Sequence, residues 1–113
     1  MVNRGTIWWA ELPEPTASEP GYRRPVIIVQ ADEFNKSRIN TVIVIALTSN
    51  LRLADAPGNI KLSQSKTGLN KESVANVSQI LTVDKQFLVE KIGQLDHVTM
   101  QELNEGMALT LGL

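Results

Sequence analysis

The sequence contains no cysteine and a single histidine, His97. Without thiols there is no disulfide framework, no thiolate metal site and no cysteine nucleophile. One imidazole removes most histidine-based metal sites as well, so no cofactor is expected. Aromatic residues are few: two tryptophans, two phenylalanines and one tyrosine. No apolar run approaches the roughly 18 residues a membrane span needs. The opening MVNRGTIWW has neither the apolar core nor the small-residue cleavage site of a secretory signal, so a cytoplasmic protein with no membrane partner is expected. Gly-rich phosphate loops, zinc spacings and the Gly-x-Ser-x-Gly elbow are missing too. Any chemistry falls to Arg, Lys, Ser, Thr, Asp, Glu, Asn or Gln.

What is present fits one compact domain over residues 1–113, with 42% hydrophobic residues and a formal net charge of −1. Near-neutrality taken alone argues against a nucleic-acid partner, since phosphate binding leaves a basic footprint. The charges are segregated, however. Arg4, Arg23, Arg24, Arg38 and Arg52 are all in the first half, while Asp84, Glu90, Asp96, Glu102 and Glu105 crowd the last thirty residues or so against Lys85 and Lys91. A locally basic groove is compatible with a neutral total, and arginine is the cation suited to bidentate phosphate contacts.

Short β-branched runs dominate the first half. Residues 6–12, 25–30 and 41–48 read as strands, the last two buried, and residues 59–63, 73–81 and 90–95 show weaker alternation. Strands separated by turn signals, with no helical pattern between them, predict a curled sheet or small barrel. At the end Met100, Leu103, Met107 and Leu111 form the stripe of an amphipathic helix, capped by Asp96 or by Thr99 with Glu102. Gly106 weakens that helix by about 1 kcal/mol relative to alanine. Asp84 opens a helical turn around residues 85–88. Two long polar connections, 13–24 with three of the five prolines and 49–58, are candidates for function.

Arg24 and Thr48 are the most informative pair. Pro25 restricts Arg24 to extended geometry at the mouth of the second strand, and Thr48 closes the third. If those strands are neighbours, a guanidinium and a hydroxyl meet at one end of the sheet. That combination suits a phosphodiester, whose growing transition-state charge it can stabilise by roughly 3 to 4 kcal/mol per donor. His97 has only Asp96 beside it and no partner nucleophile, which does not make a catalytic unit.

Several segments in order resemble one family. They are residues 4–9 (RGTIWW), 18–29 (SEPGYRRPVIIV), 45–49 (IALTS), Glu72-Ser73-Val74 with Gln79 following, and 82–85 (TVDK). Together they resemble the MazF/PemK/Kid family of toxin endoribonucleases over nearly the whole chain. The resemblance implies an SH3-like β-barrel of the MazF/CcdB type with appended helices. It also implies a homodimer, metal-free cleavage of single-stranded RNA at short motifs, and restraint by a cognate MazE-like antitoxin. By position it implies Arg24 and Thr48 as the catalytic pair and Glu19, Arg23, Ser49, Lys71, Ser73 and Gln79 as RNA contacts. Lys71-Glu72-Ser73 stands where many relatives have arginine and aspartate, and Ala17-Ser18 where some place a histidine, so a histidine general base is not available. Glu19 remains an open candidate for the base, although its position in the pattern points to binding. Trp8, Trp9 and Tyr22 are candidates for base stacking, and Glu14, Thr16, Asn50 and Arg52 for sequence specificity. Relatives on this barrel that poison a topoisomerase by contact alone define the alternative, a non-catalytic toxin.

Overall fold

The computed structural model describes residues 2–113. Its strands are β1 (Thr6–Leu12), β2 (Tyr22–Ile28), β3 (Thr41–Thr48), β4 (Ile60–Leu62), β5 (Ser73–Asp84) and β6 (Leu88–Gln94). Helices α1 (Asp32–Asn35) and α2 (Gln64–Thr67) are single turns, and α3 (His97–Leu111) closes the chain. The strands form one antiparallel sheet in the order β4-β5-β3-β2-β1-β6. The sheet curls into a half-barrel with α3 packed on it, as the run of short strands predicts.

Alternation divides the apolar residues between two faces. Ile27, Val29, Ile45 and Leu47 pack with Ile7, Val77 and the α3 residues Met100 and Leu103. Val26, Ile28, Val42 and Val44 pack with Ala10, Leu12 and Val83 on the other side. Because both faces are covered, β3 reads as an almost unbroken apolar run. Burying each such Leu or Ile side chain contributes roughly 1.5 to 3 kcal/mol.

The boundaries differ from the expectation in places with identifiable causes. β2 begins at Tyr22, not Pro25, because Tyr22, Arg23 and Arg24 pair with Leu12, Glu11 and Ala10 of β1. The connection 49–58 holds a 3-10 helix at Leu51–Asp55, whose first turn is capped by Asn50 Oδ1 accepting from Arg52 N at 3.2 Å. The expected turn after Asp84 is present at Lys85–Phe87, with the Asp84 carboxylate accepting from Gln86 N. Asp96 is the cap of α3, accepting from Thr99 N at 2.7 Å. Thr99 lies buried inside the helix, where its hydroxyl accepts from Lys66 Nζ. The apolar stripe ends early: Leu111 is exposed, and Gly106 is buried instead. A Cβ at Gly106 would stand 2.2 Å from the Gly58 carbonyl oxygen, so the residue that weakens the helix also lets it touch the 58 turn. Close approach of backbone to backbone is what selects glycine there.

Helix α1 has no periodic signal because polar contacts hold it. Asn35 is buried and donates to the Gln30 carbonyl at 2.9 Å and to the Asp32 carboxylate at 3.0 Å, while Gln30 donates to Asn35 Oδ1. Asp32 also accepts from Arg4 N at 2.7 Å, and that hydrogen bond lowers its pKa.

Candidate active site

The β2–β3 ladder ends at Val26↔Ala46. Pro25 next to it has no N–H to contribute. Continuing that register by two places sets Arg24 opposite Thr48. Beyond the last pair a cleft of about 430 Å³ opens, bounded by Trp9 in the middle of β1, the start of β2, the end of β3, the segment 68–71 and the start of β5. Seven of the residues named from the sequence line it: Trp9, Arg23, Arg24, Thr48, Ser49, Lys71 and Ser73. Three of these are cations, and no Asp or Glu is among the lining residues.

Arg24 is half-buried. Its Nη1 donates to the Leu47 carbonyl at 3.4 Å, whereas Nε is buried with no hydrogen-bond partner, the one such side-chain atom among the described residues. An unpaired buried donor costs about 1 to 3 kcal/mol, a penalty an acceptor entering the cleft would relieve. Thr48 Oγ1 accepts from Asn50 N at 3.1 Å. That contact uses an acceptor site and leaves the hydroxyl proton free to donate. Lys71 forms no ion pair among the described residues. Arg23 does, with Glu11 at 3.6 Å and Glu90 at 3.8 Å, and it lies over the Trp9 ring. The orientation of β2 here depends on Gly21, where a Cβ would meet Pro15 Cδ at 2.3 Å. Tyr22 after it takes a left-handed φ of 58° at the strand entrance.

Glu19 and Gln79 are not among the residues lining the cleft. Glu19 folds back on its own loop, accepting from Thr16 N, Thr16 Oγ1 and Ala17 N at 3.0, 2.8 and 2.9 Å. These hydrogen bonds, led by those from Thr16, hold its pKa at about 2. Gln79 donates to the Ser18 carbonyl at 3.3 Å and ties the same loop to β5. The structure therefore brings Gln79 to the Glu19 loop, separately from the Arg24 group. Of the residues considered for specificity, Thr16 belongs to the Glu19 staple and Asn50 to the 3-10 cap, and neither lines the cleft. His97 is exposed at the start of α3, and Asp96 engages Thr99 and Lys66. Among the described residues no three His, Asp or Glu side chains are grouped as metal ligands.

Residues 3–111 match the family model described as PemK-like, MazF-like toxin of type II toxin-antitoxin system. The chain belongs to this family. Endoribonuclease MazF6 of Mycobacterium tuberculosis is 40% identical over 113 residues, covering all of this chain and 99% of its own. Endoribonuclease MazF of Staphylococcus saprophyticus is also 40% identical over 113 residues, which span 93% of its length. Among solved structures, a mycobacterial endoribonuclease in complex with its cognate antitoxin superposes with a TM-score of 0.80 at 24% identity, over 100% of this chain and 97% of that one. MazF from Deinococcus radiodurans gives 0.81 at 17% identity, over 99% and 97%. These structural likenesses establish the MazF fold of the sheet and α3.

Within the family frame, sequence reasoning missed the wall formed by Gly68, Leu69 and Asn70. The available signal was the Thr67-Gly68 step. Gly68 ends α2 in a left-handed conformation, φ +82°, and turns the chain into the cleft; Gln64 Nε2 then secures the Asn70 carbonyl.

Proposed function

We propose that this protein is a metal-independent endoribonuclease toxin that cleaves single-stranded RNA, and that residues 1–113 form a single toxin domain. The observation that carries the mechanism is the unpartnered Arg24 Nε in a cationic, acid-free cleft with Thr48 at its edge. In this reading the RNA 2′-hydroxyl attacks the adjacent phosphorus. The 2′-O–P bond forms as the P–O5′ bond breaks, giving a 5′-hydroxyl product and a 2′,3′-cyclic phosphate; a water then adds to the phosphorus as the P–O2′ bond breaks, leaving a 3′-phosphate and a restored 2′-hydroxyl. The 2′-hydroxyl proton leaves to water, and the departing 5′-oxygen takes one from water. Arg24 stabilises the charge that grows on the phosphoryl oxygens, and Thr48 donates its free proton to the phosphate. A carboxylate with a pKa of about 2 is a weak base at neutral pH, so Glu19 is assigned to the binding loop and not to proton transfer. Ser49, Lys71 and Ser73 hold the strand in the cleft, Arg23 sits at its rim, and Glu19 with Gln79 shapes the loop that reads the bases beside it.

The protein acts in this reading as a cytoplasmic homodimer, and its antitoxin carries an acidic, partly disordered segment that competes for the same cations. Contact poisoning of a protein target would not require an unpaired guanidinium beside a free hydroxyl, which favours the enzyme. Incubation of the purified, antitoxin-free protein with a long RNA in EDTA tests the proposal. Discrete cleavage is expected, and intact RNA in the presence of folded protein overturns it.

A further inference from the structure

Arg23 differs from Arg24 in having two carboxylates and an aromatic ring around its guanidinium. Strand pairing sets Glu11 directly across from Arg23 and Glu90 directly across from Trp9, so β2, β1 and β6 bring four side chains together at the cleft rim. The guanidinium carbon lies over the Trp9 ring, 4.7 Å from its centroid. Glu11 faces Nη1 at 3.6 Å and Glu90 faces Nη2 at 3.8 Å. With two carboxylates around one cation, the local charge is net negative, which suits a phosphate poorly. Half of the Arg23 side chain is nevertheless exposed, and Trp9 and Arg23 both line the cleft. A guanidinium plane supported from below by an aromatic ring is a surface on which an unstacked base can lie.

We infer that Arg23, held over Trp9 by Glu11 and Glu90, is a stacking platform for a nucleobase next to the cleaved phosphate, and so a positioning residue and not a phosphate-binding cation. The inference rests on the RNA-cleaving reading above. The ion pairs are surface pairs that add little stability. Their role here is to fix the guanidinium at the rim and to cancel its charge, so that it recognises a base face and leaves phosphate binding to Arg24 and Lys71.

The experiment uses the full-length protein. Cut sites mapped on a long RNA define a short oligonucleotide, made uncleavable by a 2′-deoxy nucleotide at the cut. A series of these carries one abasic position each, and binding is measured with the unchanged protein and with Arg23→Lys, which keeps the charge and loses the plane. The unchanged protein is expected to lose about tenfold in affinity at one abasic position flanking the cut. In Arg23→Lys that penalty is expected to shrink to about twofold or less, with the other penalties unchanged. Identical abasic penalties in both proteins would overturn the platform while leaving the nuclease intact. Failure of the unchanged protein to cut the long RNA would instead overturn the reading on which the platform rests.

Discussion

At the α1 end of the sheet Gln30, Asn35, Asp32 and Arg4 answer one another's donors and acceptors, and α3 begins on an equally complete set in Asp96, Thr99 and Lys66. At the other end of the same strands β2 and β3, Arg24 Nε is buried without a partner, Thr48 keeps a free proton and Lys71 has no counter-ion among the described residues. The contrast separates polar groups that hold the fold from polar groups that wait for a ligand. Stability resides where hydrogen bonding is complete, and chemistry where it is left open at a cost the apolar faces offset.

The comparison breaks most visibly at Arg24. Arg24→Ala is expected to reduce cleavage by a hundredfold or more while the melting temperature stays the same or rises, because an unpaired donor is removed. A matching loss of thermal stability would place Arg24 with the structural groups. Thr48→Val, which keeps shape and removes the hydroxyl, should slow cleavage by about tenfold or more at unchanged fold, measured in single-turnover assays.

Substitutions at the satisfied end are expected to do the reverse. Gly106→Ala gains helix propensity yet drives a methyl into the Gly58 carbonyl, so chemical denaturation should show a net loss of about 1 to 3 kcal/mol with catalysis per folded molecule unchanged. Asn35→Ala strips Gln30 of both its contacts with the Asn35 amide, leaving its side chain only the Thr41 carbonyl at 3.3 Å, and should cost about 1 to 3 kcal/mol on the same readout.

The smallest effect is the pH dependence. Hydrogen bonds from Thr16 lower Glu19, and those from Thr99 lower Asp96, each to about 2, and the Arg4 N–H lowers Asp32. In each case the unfolded chain binds protons first as pH falls. The stabilisation is therefore complete above the ordinary carboxylate range and is lost as pH drops toward 2. Melting temperature should be level from pH 6 to about pH 5 and decline below about pH 4.5. A decline beginning above pH 6 would show that other groups control acid stability.

The same contrast explains what was legible in the sequence. β1 and β3 were readable residue for residue because a short run of β-branched and apolar residues is a local property, and the three- and four-residue spacing of α3 was readable as far as Met107 for the same reason. Helix α1 was not, since it depends on Asn35 meeting Gln30 and Arg4 meeting Asp32 across 28 residues. β2 began three residues early because pairing with β1 overrides a proline at its entrance. At the site, strand ends carried Arg24 and Thr48 into view, whereas Gly68 to Asn70 and the Arg23 cluster depend on how α2 and β6 come alongside. Net charge was the least informative quantity, since acids gather toward the last strand and helix while Arg24 and Lys71 line the cleft without an ion-pair partner among the described residues.

The central claim is that the cleft supplies charge stabilisation to a nucleophile carried by the RNA itself. It is tested most directly by comparing, in EDTA, an RNA that is cut at one site with the same RNA bearing a single 2′-deoxy nucleotide at that site. The account predicts cleavage of the first to a 5′-hydroxyl fragment, and of the second no cleavage at all despite undiminished binding. Cleavage of the deoxy-substituted RNA at the same bond would contradict it.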